Sequence, residues 1–260
     1  MIWLAAGALV VVAIAALLWY ACSVPSSQLF GPALIRGPAD GRRIVLTFDD
    51  GPAAPFTEQV LDILRDQQVR AAFFVCGRNA ERHPELLRRI SAEGHAIGNH
   101  TYSHFFPYLM TRAQMAREID RTQQVIEEVT GRRPALFRPP YGARWFGLYP
   151  VLRERGLKVV QWSDTGYDWQ EDEDSIVRLA LEKLHPGSVL LLHDGLEGYE
   201  GFWRQTVRRV SASPRALGPT ETPVAIRPDR RCTVRALPRI IESARKAGFR
   251  FVPIQDFIPV

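Results

Sequence analysis

One group of side chains in this 260-residue chain suits a metal ion. Asp50, His100 and His104 offer one carboxylate oxygen and two imidazole nitrogens, and the two histidines are four residues apart. This donor set fits a divalent ion of the zinc type that keeps an open position for water. An H-x-x-x-H pair alone is weak evidence, because two solvated or core-packed histidines give the same spacing. The spacing by itself therefore leaves both alternatives open.

Two further residues have the side chains that hydrolysis by a metal-bound water needs. Asp49, next to Asp50, is a candidate general base if it lies beside such a water, and His193 is a candidate general acid. The other three histidines fall at helix or strand-start positions and are assigned to structure: His83, His95 and His185.

Short β-rich runs alternate with amphipathic runs from residue 43 onward. Seven such alternations predict a parallel sheet covered by helices, either closed as a barrel or open and doubly wound. The predicted strands are residues 44–48, 70–75, 95–98, 135–138, 157–162, 188–193 and 249–254. The predicted helices are residues 57–67, 78–93, 111–129, 173–184 and 236–247.

The candidate residues are concentrated at the ends of five of these strands. In a parallel α/β sheet the carboxyl ends of the strands emerge on one face, where barrel enzymes keep their active sites. We therefore expect the metal group, the base, the acid and one cation to meet there, and this context favours the metal site. The residues in question are Asp49, Asp50, His100, His104, Arg138, Tyr141, Asp164, Asp168 and His193.

Five stretches, in this order, resemble the five motifs of the polysaccharide deacetylases, the NodB-homology domain of carbohydrate esterase family 4. They read T-F-D-D-G-P at 47–52, N-H-T-Y-S-H at 99–104, R-P-P-Y-G at 138–142, D-W at 168–169 and L-L-L-H-D at 190–194. The resemblance runs from about Arg43 to Phe257. The fourth motif is commonly D-x-x-D-W, whereas here three residues separate Asp164 from Asp168, so Asp168 is matched and Asp164 is not.

The resemblance implies a distorted seven-stranded (β/α) barrel that hydrolyses an N-acyl group, usually acetyl, from an amino sugar in a polymer. It implies that Asp50, His100 and His104 hold a divalent metal, zinc first, with cobalt or nickel as other options. It further implies that Asp49 is the base, tethered by Arg138, and that His193 is the acid, oriented by Asp168. The remaining implied residues bind the oxyanion or line the acyl pocket and groove: Tyr141 through its backbone N–H, Pro140, Trp169 and Leu191.

The N-terminus predicts a transmembrane helix over residues 1–21. Residues 2–21 are apolar apart from Gly7, and at 1.5 Å per residue they reach about the 30 Å of a bilayer core. A cleaved signal peptide is the alternative. Positive charges follow the span, and the positive-inside rule taken literally puts the domain in the cytoplasm. The family's usual topology points the other way, and we expect a single-pass cytoplasmic-membrane protein with its domain outside.

Beyond the span, the sequence predicts a linker over residues 22–42 and one domain over residues 43–258. The composition, with 46% apolar and 23% charged residues, excludes collagen-like and disordered classes. Most of the net charge of +5 falls in a basic insertion at 195–235, which has eight arginines and four acidic residues. This insertion suggests attraction to an anionic glycan or to lipid headgroups.

Three functions are compatible with these features. The first is a metal-dependent hydrolase of linear amide bonds that removes N-acetyl groups from a cell-envelope or exported polysaccharide, peptidoglycan or chitin-like. The second is a deacylase of a lipid-linked amino sugar at the membrane surface. The third is a non-catalytic glycan-binding envelope protein. The expected partners are an N-acetylated glycan and the membrane, and no nucleic acid is expected.

Overall fold

The computed structural model, which describes residues 2–24, 26–195 and 230–258, is built on one sheet of parallel strands. In the described ranges the strands follow the order β1-β6-β5-β4-β3-β2-β8-β7, and β9 pairs with the beginning of β2. The strands are β1 (Ala33–Leu34), β2 (Arg43–Asp49), β3 (Ala72–Val75), β4 (Ala96–Asn99), β5 (Leu136–Phe137), β6 (Lys158–Val160), β7 (Asp164–Thr165), β8 (Val189–His193) and β9 (Arg250–Phe251).

The described residues also contain eight helices, several of which pack apolar side chains against the outer face of this curled sheet. They are α1 (Ile2–Ser23), α2 (Phe56–Asp66), α3 (Gly77–Arg82), α4 (Pro84–Ala92), α5 (Arg112–Thr130), α6 (Leu148–Arg153), α7 (Glu173–Glu182) and α8 (Arg231–Lys246). The predicted helix over 78–93 is divided in two at His83. The reason is Pro84, which has no backbone N–H and restricts the residue before it, so a new helix begins there.

The hydrophobic core lies on both faces of the sheet. Residues 44–48 of β2 are fully buried, as expected for a central parallel strand. On the outer face, Phe48 and Phe73 stack with their ring centroids 5.1 Å apart, beneath apolar side chains of α2, α7 and α8. A smaller cluster that includes Val45, Phe74 and Val160 fills the inside of the curl. The sheet is thus held from two sides, and the ends of its strands are rigidly placed.

All seven predicted strands are confirmed, but the seven-stranded barrel is not. Within the described residues the sheet has nine strands and curls into a half-barrel, with β1 and β7 at the two ends of the strand order. The two unpredicted strands, β1 and β7, are only two residues long. β5 and β9 are equally short, but they lie within longer apolar runs, whereas β1 lies among Pro and Gly residues and β7 among polar residues.

A short part of the predicted linker over residues 22–42 pairs with the sheet. Ala33 and Leu34 form β1 and pair with Val159 and Val160 of β6. Arg36 forms a further bridge with Ser188, just before β8. The Ser-, Pro- and Gly-rich composition predicted a tether because it lacks apolar periodicity, yet two residues suffice for an edge strand. The sheet therefore includes residues upstream of residue 43, and the domain boundary itself stays a prediction.

The prediction of a transmembrane helix, and with it the predicted cytoplasmic-membrane location and membrane partner, is wrong. Nowhere in the described ranges does a helix combine the length and the apolar character that crossing a membrane requires. Residues Ile2–Ser23 do form a helix, but its last turn meets the rest of the protein: Ala21 is buried, and the Tyr108 hydroxyl donates to the Cys22 carbonyl at 2.6 Å. Residue types alone do not reveal such packing.

The predicted basic insertion at 195–235 lies largely outside the described residues. Of this range, only residue 195 and residues 230–235 are described. The attraction of this insertion to an anionic glycan or to lipid headgroups therefore stays a prediction.

We expect replacement of Phe73 by Ala to destabilise the fold strongly. Phe73 is fully buried on β3, and loss of a buried Phe typically costs about 3–5 kcal/mol through lost burial and the cavity left behind. Urea unfolding followed by circular dichroism measures the change. The matched control is Phe146→Ala, since Phe146 is 81% exposed and should shift the free energy of unfolding by less than about 0.5 kcal/mol. Equal effects in the two variants would contradict this assignment of the core.

Candidate active site

The five motifs meet at the carboxyl edge of the sheet, as the sequence predicts. Asp49 and His193 are the last residues of β2 and β8, which are direct neighbours in the sheet. His100 follows β4, Arg138 follows β5, and Asp168 lies in the loop after β7. Because every strand of this edge runs in the same direction, these side chains converge on one pocket.

Asp50, His100 and His104 form a compact group of potential metal ligands. One ligand atom from each residue lies within 4.8 Å of the other two. The Asp50 Oδ1 atom is 3.5 Å from His100 Nε2 and 3.2 Å from His104 Nε2. All three side chains are at least 96% buried. The group therefore has the size and composition of a site for one divalent ion.

The polar atoms of this group favour a bound cation. Asp50 Oδ1 is buried and has no hydrogen-bond donor, which is costly for a carboxylate oxygen unless a positive charge meets it. His100 Nδ1 lies 2.7 Å from the Arg138 carbonyl oxygen. A ring nitrogen beside a carbonyl must carry the proton, so Nε2 presents its lone pair to the site. The residues present thus fit a divalent metal ion.

The pKa values of the group also favour ligand-competent forms. Burial lowers the pKa of His104 to about 4, against the attraction of Asp50. Burial acts to raise the pKa of Asp50, but the neighbouring histidines outweigh it and hold that pKa well below its usual value. The imidazole of His104 is therefore neutral and the carboxylate of Asp50 ionised near neutral pH, as metal binding requires.

Local backbone geometry aims the ligands at one point. Asp50 (φ 73°) and His104 (φ 52°) have left-handed backbone conformations, which are uncommon for residues other than glycine. The Asn79 side chain donates to the Asp50 carbonyl at 2.7 Å and supports the turn after β2. Strained conformations of this kind persist where the surrounding structure holds them, often at functional sites.

Arg138 holds Asp49 in place. Its Nη1 donates to Asp49 Oδ1 at 2.6 Å and to the Thr47 hydroxyl at 2.9 Å. Its Nε and Nη2 donate to the backbone carbonyls of Val160 and Gln161 at 3.2 and 3.0 Å. Burial lowers the pKa of Arg138, whereas the charge of Asp49 acts to raise it. The bond to Oδ1 leaves Asp49 Oδ2 facing the ligand group, 3.7 Å from His100 Nε2.

His193, the register partner of Asp49 on the neighbouring strand, is paired with Asp168. Its Nδ1 lies 2.8 Å from Asp168 Oδ1, and its backbone N–H donates to Asp168 Oδ2 at 2.8 Å. Burial acts to lower the pKa of His193, but the charge and hydrogen bond of Asp168 outweigh it and raise that pKa. The Trp169 ring lies edge-on to the His193 ring, with the centroids 5.2 Å apart. His193 is therefore oriented and biased towards its protonated form.

The other residues predicted to contact substrate also lie at this edge. Tyr141 sits in the short turn Pro140–Gly142 with φ 58°, and its ring is 4.7 Å from the His104 ring. Pro140 is buried in the same turn, and Leu191 is buried on β8. Asp164 lies on β7 with its carboxylate bonded to the Ser163 hydroxyl, so the choice of Asp168 as the partner of His193 agrees with the geometry.

Several residues of the site have no counterpart in the sequence analysis. The Thr233 hydroxyl, on α8, donates to Asp168 Oδ2 at 2.8 Å. The buried Arg230, just before α8, donates to the Gly195 carbonyl at 2.7 Å. Burial raises the pKa of Asp194 to about 7, although Asp194 accepts a bond from Thr57 at 2.6 Å. In the sequence, Asp194 stands out only as the last residue of the fifth motif. Thr233 is 65 residues from Asp168, and this separation matches no recognisable sequence pattern.

Comparison with known proteins connects this site to one family. A family model described as Polysaccharide deacetylase matches residues 36–160. A peptidoglycan-N-acetylglucosamine deacetylase of Bacillus cereus is 38% identical over 63% of this chain, which spans only 60% of that relative. Another protein of that name from the same organism is 30% identical over 85% of this chain and 90% of its own length. A chitooligosaccharide deacetylase of Azorhizobium caulinodans is 39% identical over 58% of this chain and 73% of its own length.

Solved structures show the same fold. The crystal structure of the Bc1960 peptidoglycan N-acetylglucosamine deacetylase has a TM-score of 0.72 and 31% identity, and covers 86% of this chain and 91% of its own. A Bacillus anthracis protein described as a CE4 family pseudoenzyme has a TM-score of 0.69 at 20% identity, covering 87% of this chain and 68% of its own. The second likeness shows the fold alone.

We expect His104→Ala to lose tight binding of Zn²⁺. The variant keeps only two of the three protein ligands, and catalytic zinc sites typically use three. Isothermal titration of metal-stripped protein measures the affinity. His83→Ala is the control, because His83 lies between α3 and α4 and pairs with Glu85 instead. Zinc binding of wild-type strength in His104→Ala would mean that the ion sits elsewhere.

Proposed function

This chain belongs to the polysaccharide deacetylase family, and we propose that it is a metal-dependent hydrolase that removes N-acetyl groups from amino sugars of a cell-envelope or exported polysaccharide. The observation that carries the proposal is the arrangement of the site. The ligand group Asp50, His100 and His104 lies at the same strand ends as a tethered carboxylate, Asp49, and an oriented imidazole, His193. Relatives named for peptidoglycan and chitooligosaccharides support an N-acetylated glycan as the substrate.

The proposed roles follow from the geometry. Asp50, His100 and His104 would hold a divalent ion, and such an ion would supply Lewis-acid chemistry that makes water more acidic and the amide carbonyl more electrophilic. Asp49 Oδ2 takes the proton of the attacking water, because Arg138 engages the other oxygen of this carboxylate. The backbone N–H of Tyr141 donates to the amide oxygen as negative charge develops on it.

His193 completes the reaction by protonating the leaving amine. Asp168 holds Nδ1, so Nε2 is the atom that delivers the proton. The partners of the two residues thus distinguish the base from the acid: Asp49 pairs with a cation, Arg138, and His193 pairs with an anion, Asp168. Leu191, buried on β8, and Trp169, whose ring meets that of His193, are assigned to the space for the acyl group, as the family resemblance implies.

A family fold does not by itself carry the activity, since one similar structure is described as a pseudoenzyme. In this chain every metal, base and acid position holds a residue capable of the role, which favours the enzyme over a glycan-binding scaffold. Acetate release from peptidoglycan fragments and chitooligosaccharides, with and without a chelator, tests the proposal. No release from either substrate by zinc-loaded protein would overturn it.

Replacement of Asp49 by Asn is expected to lower kcat at least 100-fold, because general-base catalysis typically contributes 10²–10⁴-fold. The amide keeps the shape of the side chain but cannot accept the proton. Acetate release from N-acetylated oligosaccharides measures the loss. Asp62→Asn is the control, since Asp62 is a surface residue of α2 paired with arginines. Turnover of wild-type strength in Asp49→Asn would exclude Asp49 as the base.

We expect Asp168→Asn to move the alkaline limb of the kcat/KM profile to lower pH. His193 acts in its protonated form, so activity falls as the pH rises through its pKa. Asp168 raises that pKa, and its neutralisation lowers it. Measuring kcat/KM against pH gives the shift. Asp164→Asn is the matched control, because Asp164 bonds Ser163. An unshifted alkaline limb in Asp168→Asn would show that another group sets it.

A further inference from the structure

We propose that Glu118, on α5, is a positioning residue that holds the loop between His100 and His104 in the conformation that brings both imidazoles onto Asp50. The inference rests on the proposed metal-dependent function, since it concerns the affinity of the ligand group for its ion. Glu118 lies outside the five motifs, and its carboxylate contacts the loop at the midpoint between the two histidines.

The loop needs such support because its backbone is not helical. Thr101 and His104 both have left-handed conformations, with φ of 65° and 52°. Neither residue is a glycine, and these conformations cost free energy for residues with a Cβ atom. Without external hydrogen bonds, the loop would relax and the two histidines would no longer face the same point.

The Glu118 carboxylate supplies three of these hydrogen bonds through one oxygen. Its Oε2 accepts from the backbone N–H groups of Tyr102 and Ser103, at 3.1 and 2.7 Å. It also accepts from the Ser103 hydroxyl at 2.9 Å. Hydrogen bonds to an ionised acceptor are stronger than those between neutral groups. A single side chain therefore fixes two consecutive peptide groups between the ligands.

The opposite side of the same peptides is held by α3. The carbonyls of Thr101 and Tyr102 accept from the backbone N–H groups of Gly77 and Arg78, each at 3.0 Å. These N–H groups belong to the first turn of α3, where a helix has donors without internal partners. The loop is thus clamped between the start of α3 and the Glu118 carboxylate.

Helix α5 connects Glu118 rigidly to the residue before His100. Asn99 donates to the Ile119 carbonyl, next to Glu118, at 2.9 Å, and its side-chain oxygen accepts from the Thr101 N–H at 2.9 Å. Ile119 and Met115 of α5 are fully buried. Every backbone N–H from residue 101 to residue 103 is therefore bonded either to Glu118 or to a group anchored on α5.

Loss of the clamp should affect His104 more than His100. His100 has an anchor of its own, since its Nδ1 meets the Arg138 carbonyl. His104 Nδ1 has no hydrogen-bond partner, so the position of His104 depends on the loop backbone. Removal of Glu118 would therefore leave a site with two well-placed ligands and one poorly placed ligand.

The test is zinc affinity, measured on metal-stripped protein by competition with a chromophoric chelator. We expect Glu118→Ala to weaken binding about 10–100-fold, as is typical when the groups that orient metal ligands are removed. Glu118→Asp keeps the charge but is one methylene too short to reach the loop, so it should weaken binding similarly. Glu118→Gln keeps an acceptor oxygen at the right length and should recover most of the affinity.

Two controls separate positioning from general destabilisation. Glu127→Ala removes an exposed carboxylate of the same helix, paired with Arg133, and should leave zinc affinity unchanged. Ser103→Ala removes only one of the three bonds and should have a small effect. Circular dichroism checks that each variant is folded, and Glu118→Asp carries the test if Glu118→Ala does not fold.

The outcomes distinguish this inference from the function on which it rests. If the wild-type protein binds zinc and folded Glu118→Asp binds it equally well, Glu118 is not a positioning residue, and the proposed function stands. If the wild-type protein binds no divalent ion, both the proposed function and this inference are overturned.

Discussion

A fully buried guanidinium group, that of Arg138, connects most of the candidate site. A buried charge is tolerated only when its donors are paired, and here they reach Asp49 and Thr47 on β2 and two carbonyls at the end of β6. The Arg138 backbone carbonyl in turn fixes His100. Three strands and two side chains of the candidate site are therefore tied to one residue, and a change in its position would move both the proposed base, Asp49, and a proposed metal ligand, His100.

The charges of the site are arranged in a definite order around the ligand group. The carboxylate of Asp50 faces His100 and His104, and two further ion pairs, Asp49–Arg138 and His193–Asp168, lie at the same strand ends. Burial weakens the screening of these charges by water, so each pair acts strongly on its own members. The same fold thus places a carboxylate beside a cation and an imidazole beside a carboxylate at the ends of neighbouring strands.

Support for this pocket comes from helices that carry no motif residues. Thr233, at the start of α8, donates a hydrogen bond to Oδ2 of Asp168. Glu118, in the middle of α5, accepts hydrogen bonds from the loop that carries His104. Both helices have buried apolar faces, and their packing sets the positions of these two polar side chains. The precision of the site is therefore a consequence of ordinary core packing behind it.

The sequence by itself determined the parallel α/β class, seven of the nine strands in the described residues and the motif residues at their ends. It could do so because period and spacing are local, and because parallel strands must deliver their carboxyl ends to one edge. The tertiary structure alone decided the half-barrel, the edge strands β1 and β7, the packing of the last turn of α1, and the roles of Thr233 and Glu118. Each of these depends on contacts between residues far apart in the chain, and a single hydrogen bond across such a distance leaves no periodic trace in the sequence.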